Sequence, residues 1–92
     1  MRPVLYQNRP NPFKGLTSIS FAIPKETFVS LLIYDASGRK VKSLIRERLK
    51  PGNYNLKWDG KDDKERDLPQ GVYFYRLWAE DFKDIKKIVL IR

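Results

Sequence analysis

The sequence predicts an all-β fold, a Greek-key β-sandwich of about seven strands. Three observations carry this expectation. Gly and Pro punctuate the chain at intervals of about ten residues, the spacing of short strands joined by tight turns. Between them, apolar and polar residues alternate, which is the period of a pleated strand. No window carries a helical apolar stripe longer than about two turns.

The elements follow in order. Leu5 and Tyr6 predict a short first strand. Asn8-Arg9-Pro10-Asn11-Pro12-Phe13 predicts a rigid turn: two prolines fix φ, two asparagines bond their own backbone, and Phe13 is an apolar plug. From Thr17 to Ile23 the residues Ile19, Phe21 and Ile23 share one face, and Pro24 ends the strand. Phe28 to Asp35 sets Val29, Leu31 and Ile33 on one face and Leu32 and Tyr34 on the other. Apolar residues on both faces predict a central strand, partly covered on two sides. Asp35-Ala36-Ser37-Gly38 predicts a hairpin with Gly38 at positive φ. The return, Arg39 to Ile45, alternates imperfectly, as an edge strand or a bulge does. After the Pro51-Gly52 turn, Tyr54, Leu56 and Trp58 mark a half-buried strand, and Asp59 to Gln70 is a long charged loop. Gly71 opens the strand Val72 to Ala79, with Tyr73, Tyr75 and Leu77 opposed to Val72, Phe74, Arg76 and Trp78. Phe82 to Ile91 is the last strand, with Lys86, Ile88 and Leu90 on one face.

Ninety-two residues make one domain. The chain has no cysteine and no histidine, so disulfide staples, thiol chemistry and the commonest general base are excluded together. Without histidine none of the usual triads can be assembled, an enzyme would have to work with carboxylates, Lys and Tyr, and the expectation is a protein that is not an enzyme. The net charge is +8. Lys and Arg are scattered singly among Asp and Glu, which reads as a solvated lysine-rich surface with no nucleic-acid partner. The nearest cluster, Lys83, Lys86, Lys87 and Arg92, is interrupted by Asp84. No segment reaches the roughly 18 apolar residues of a membrane span. No signal-peptide pattern opens the chain, which leaves a cytosolic protein or a piece of a longer exported one.

The order of the motifs is more specific than the composition. Gln7-Asn8-x-Pro10-Asn11-Pro12-Phe13 leads into Ile19-x-Phe21-x-Ile23-Pro24. Then follow Val29-x-Leu31-x-Ile33-Tyr34-Asp35-x-x-Gly38-Arg39-x-Val41 and Pro51-Gly52. Trp58-Asp59-Gly60-x-Asp62, Gly71-Val72-Tyr73-Phe74-Tyr75-Arg76-Leu77 and Lys86-Lys87-Ile88-Val89-Leu90 complete the train. Together they resemble the C-terminal sorting domain (type A) of type IX secretion substrates and the related immunoglobulin-like domain of the flagellar hook-capping protein. The resemblance spans residues 5 to 92, and departs from the family at Lys14, where Asn is common, and at Glu65, where Gly is common. It implies an immunoglobulin-like sandwich that is the C-terminal module of a longer exported protein. Its partners would be an upstream passenger domain and the outer-membrane secretion machinery. Its place would be the extracellular space or the bacterial surface, after export through the periplasm. The residues the resemblance credits are Gly71, Tyr73, Lys86, Lys87 and the apolar tail Ile88, Val89 and Leu90.

Four further features are weighed from the residues themselves. Asp59, Asp62 and Asp63 are a candidate calcium site, since hard cations take several carboxylates from a flexible loop. Against it, Lys61, Lys64 and Arg66 intervene, so a solvated charged turn with no cofactor is the preferred reading. Tyr73 is placed for a tyrosine corner, and Tyr75 stands where an antibody domain sets its second Cys. Phe74, Arg76 and Trp78 form a stripe read first as the second face of a central strand, then as a docking face, then as a carbohydrate-binding platform. The last strand offers an edge for β-augmentation, hence for self-association. The leading expectation is a sorting and surface-attachment module. The alternatives are a structural spacer or self-assembling filament subunit, and a carbohydrate-binding module.

Overall fold

The structure, a computed structural model, describes all of residues 1–92. It contains β1 (Val4–Leu5), β2 (Thr17–Ile23), β3 (Thr27–Asp35), β4 (Lys40–Leu49), β5 (Gly52–Trp58), β6 (Gly71–Ala79) and β7 (Phe82–Leu90). They form two antiparallel sheets, in the orders β1-β2-β5 and β4-β3-β6-β7. This is an immunoglobulin-like sandwich whose fourth strand stays paired with the third. The predicted strands are all present, with β1 at Val4–Leu5 in place of Leu5–Tyr6 and β7 ending at Leu90 in place of Ile91, and β3 is indeed central, between β4 and β6.

The core is where the period-2 faces meet. Fifteen buried apolar side chains form one cluster, with Ile19, Phe21 and Ile23 of β2 facing Val29, Leu31 and Ile33 of β3 and Tyr75 and Leu77 of β6. Trp58, 1% exposed, links the two layers: its ring lies 5.4 Å from Phe13 and 5.7 Å, edge-on, from Tyr73. Such aromatic contacts add about 0.5–1.5 kcal/mol each beyond area burial.

β4 runs on to Leu49, past the expected end at Ile45. Arg46, Glu47 and Arg48 have the polarity of a loop, but an edge strand needs a ladder on one side only, and Ser30, Val29 and Phe28 of β3 supply it. Register shifts at Leu31/Leu32 and Ile33/Tyr34 account for the imperfect alternation.

The Asn-Pro-Asn-Pro turn differs from expectation in one respect. Asn8 does bond nearby backbone, its Nδ2 donating to the Pro10 carbonyl at 3.0 Å. Asn11 does not; its Oδ1 accepts from the amide of Val89 at 2.9 Å, a residue of β7. Sequence-local logic cannot anticipate this, because the partner arrives from the other end of the chain.

Candidate functional site

The positions singled out in the sequence fall into three places: the last strand with its clasp, the end carrying the long loop, and the outer face of the four-stranded sheet.

β7 is an edge strand by sheet order, yet half of its outer edge is closed. The Phe13 amide donates to the Val89 carbonyl at 2.9 Å, and the Ile91 amide donates to the Phe13 carbonyl at 2.8 Å. Asn11 takes the Val89 amide, and Gln7 Nε2 donates to the Lys87 carbonyl at 2.8 Å. Ile88 and Leu90 point inward and are fully buried, opposite Tyr73 and Gly71 of β6. Lys87 is exposed on the outer side, while Lys86 lies 3.9 Å from Asp84. The open backbone of this edge is therefore confined to the Lys83–Lys87 half, where lysines discourage strand pairing. Arg92 completes the closure: its guanidinium donates to the carbonyls of Leu68 and Gly60, both at 2.9 Å. Gly60 allows this. Its φ is +76°, and a Cβ there would stand 3.2 Å from Arg92 Nη2 and Leu90 Cδ1.

The segment that closes β7 is itself pinned from beneath. Asn8, 1% exposed, donates to Thr17 Oγ1 of β2 at 3.0 Å, and Thr17 donates to the Pro10 carbonyl at 2.9 Å. The Tyr75 hydroxyl of β6 donates to the Tyr6 carbonyl at 2.7 Å and accepts from the Asn8 amide at 2.8 Å. Both sheets thus hold the same turn. Burial pushes the Tyr75 phenol up to about 12. No buried side-chain polar atom lacks a partner. Tyr75, at the place of an antibody cysteine, ties the layers with a hydroxyl.

At the long-loop end, Tyr73 makes the tyrosine corner its position suggested, donating to the Pro69 carbonyl. Its phenol is also raised by burial. The carboxylates of the candidate calcium site face N–H donors one by one. Asp59 accepts from the Lys61 amide at 3.1 Å, and Asp63 from the Ser43 amide of β4 at 3.0 Å. Asp62 Oδ1 accepts from the amides of Lys64 and Arg66, and its Oδ2 from Arg66 Nε at 3.0 Å. These side chains do not gather into a group that could hold a metal ion. The loop instead braces the β4 edge, where the Asp63 amide also donates to the Val41 carbonyl.

Asp62 to Arg66 repeats a device the sequence already showed once. Asp35 Oδ1 accepts from the amides of Ser37 and Arg39, and Oδ2 from Arg39 Nε. In both turns the first residue's amide bonds the Arg carbonyl and its carbonyl accepts from the fourth residue. That fourth residue has positive φ in both: Gly38 at 89° and Glu65 at 60°. The signal for the second turn was Asp followed four residues on by Arg; Glu in place of Gly hid it. Asp35 is held below its ordinary range chiefly by the Ser37 hydroxyl, and Asp62 chiefly by the Arg66 amide.

On the outer face, the Arg76 guanidinium lies 4.9 Å from the Tyr34 ring centre and 4.8 Å from that of Trp78. It donates to the Tyr34 hydroxyl. Lys83 stands over Trp78 from β7 at 5.5 Å. Phe74 is half-buried beside them and Trp78 is 44% exposed. The stripe is thus a ladder of alternating rings and cations that extends onto two further strands, which a one-strand reading could not show.

With this geometry in view, the likenesses to known proteins fall into place. The profile of the FlgD Ig-like domain family matches residues 10–81. No curated protein matches the sequence. Among solved structures, dimeric latent PorU from Porphyromonas gingivalis aligns over 99% of this chain at 20% identity with a TM-score of 0.77. PorZ of the same organism aligns over 96% at 20% identity and a TM-score of 0.61. FLGD from P. aeruginosa aligns over 96% of this chain and 70% of its own, at 20% identity and a TM-score of 0.61. The chain spans only 10% of the PorU chain and 11% of the PorZ chain. At such identities these likenesses establish the shared fold.

Proposed function

We propose, from the premise that this chain belongs to the FlgD Ig-like domain family, that it is a non-catalytic sorting and surface-attachment module. In this reading it follows a passenger domain and is recognised by outer-membrane secretion machinery after passage through the periplasm. One observation supports this most: the whole chain overlays a module that is about a tenth of PorU and of PorZ. PorZ is described as an essential bacterial surface component of the type-IX secretion system. The open Lys83–Lys87 half of β7, beside the closed half, is the surface assigned to recognition, with Lys87 as its exposed handle and Lys86, half-buried beside Asp84, next to it. Gly71, Tyr73, Ile88, Val89 and Leu90 act by holding that strand in place.

The test follows from burial. Deleting residues 86–92 removes Ile88 and Leu90 from the core and would unfold the domain whatever its role. Lys86→Ala with Lys87→Ala leaves the core intact. In the full-length protein this pair is expected to abolish export while the purified domain keeps its melting temperature. Undiminished export would refute the sorting role.

A second reading, a structural spacer, is favoured by the match to the FlgD Ig-like family, whose solved member overlays through 70% of its length. Normal export of the lysine pair, together with loss of ordered assembly on deleting the domain, would select it.

A further inference from the structure

The outer face of the four-stranded sheet is not used by the core, and it meets the edge assigned to sorting only at Lys83 and Lys87. Register sets its side chains. Phe28, Val72, Trp78 and Ile85 all point outward from it and are 50%, 38%, 44% and 54% exposed. Lys40, Arg46, Arg76, Lys83 and Lys87 occupy outward positions of the same strands, and none of the five has a carboxylate partner. No Asp or Glu takes a paired outward position on these four strands. The cations that look scattered in sequence therefore converge, because residues two apart on adjacent strands share a face. This replaces the expectation of an evenly solvated charge.

The shape and chemistry of this face narrow what it can meet. It has no groove; the depressions flanking the ladder are open and shallow, of about 230 and 410 Å³. Arg76 and Lys83 lie over Trp78, and Arg76 over Tyr34. The ring faces that a sugar or a base would stack on are taken by the chain's own cations. Protein interfaces are depleted in lysine, and three of the five free cations here are lysines.

We propose that this face lies on an anionic lipid surface. Such a surface asks for no complementary shape, only apolar side chains at the acyl boundary and cations among the headgroups. Phe28, Trp78 and Ile85 supply the first. The lysines, with apolar stems and charged tips, supply the second and can reach sideways as the rings settle. The inference goes beyond the sorting role and does not depend on it.

The test is vesicle binding by the 92-residue chain, comparing phosphatidylcholine alone with phosphatidylcholine containing phosphatidylglycerol. Sedimentation with the anionic vesicles only, with a blue shift of Trp78 emission, is expected; Trp58 is already buried and stays constant. Arg46→Glu/Lys83→Glu/Lys87→Glu should weaken binding at least about tenfold. Lys14→Glu/Lys57→Glu/Lys64→Glu makes the same change in net charge away from this face and should bind as the parent does. Phe28→Ser, which keeps every charge, should also weaken binding. Equal losses in the two triple variants would reduce the effect to net charge and overturn the proposal. So would binding to heparin or an oligonucleotide without binding to anionic vesicles. All positions changed are exposed, and unaltered melting temperatures would verify that each variant is folded.

Discussion

Replacing Tyr75 by Phe removes one hydroxyl and leaves two backbone groups, the Tyr6 carbonyl and the Asn8 amide, without their partner. Unmade bonds at buried groups cost about 1–3 kcal/mol each, so Tyr75→Phe is expected to lose about 2–4 kcal/mol in urea unfolding. The same hydroxyl sets the alkaline limit. Its folded-state pKa lies above the ordinary value of 10.0, at about 12. The protonated form is thus favoured by folding, and this stability is present below pH 10 and lost as pH rises towards 12. Titration followed at the tyrosinate absorbance should show one phenol ionising only as the chain unfolds. Asp35 and Asp62 give the opposite sign. Their folded pKa values are lowered, so their contribution is full above about pH 4 and disappears as acid protonates them. Asp35→Asn with Asp62→Asn should flatten the acid limb of the stability curve. Glu65 bears a left-handed backbone that Gly38 adopts freely in the matching turn. Glu65→Gly is expected to raise stability by up to about 1 kcal/mol, the relief of strain exceeding the added chain entropy, whereas Gly38→Ala should lower it.

Among the elements, β2, β3, β5 and β6 were legible because each buries one face, and burial writes a period of two into the sequence. β4 was legible only in part. Its far half is held by β3 alone, so polar residues are tolerated there and alternation fades. β7 shows the other limit. Its inward residues were readable from Ile88 and Leu90, but the fate of its edge depended on Asn11 and Phe13, which no local pattern connects to it. The twin Asp-to-Arg turns were half visible, since Gly announces positive φ and Glu conceals it. Arg92→Ala should test the closure at its far end. Loss of the bonds to Leu68 and Gly60 is expected to cost about 1–3 kcal/mol and to speed amide exchange at Leu68 and Ile91 before the core strands respond.

For the molecule as a whole, the sandwich divides its work by surface. One end is braced by the tyrosine corner and the charged loop, with Asp63 bonded onto β4. One edge is half closed and half open. One broad face is cationic and aromatic. The sequence excluded histidine and cysteine chemistry outright, because composition alone decides that. It did not disclose the cationic face, because like charges separated by tens of residues meet only through strand pairing. A domain with one core should unfold in a single transition. Far-UV and near-UV signals are therefore expected to melt together in the parent chain.

The clasp on β7 also dictates when the structure can exist. Gln7 and Asn11 bond residues 80 and 78 positions further along. Bringing together the ends of a loop that long costs about 4 kcal/mol of chain entropy before any contact repays it. A nascent chain that has emerged as far as β6 has neither Ile88 and Leu90 for its core nor the strand that receives its opening turn. The clasp between the opening turn and β7 can therefore close only once β7 itself is present.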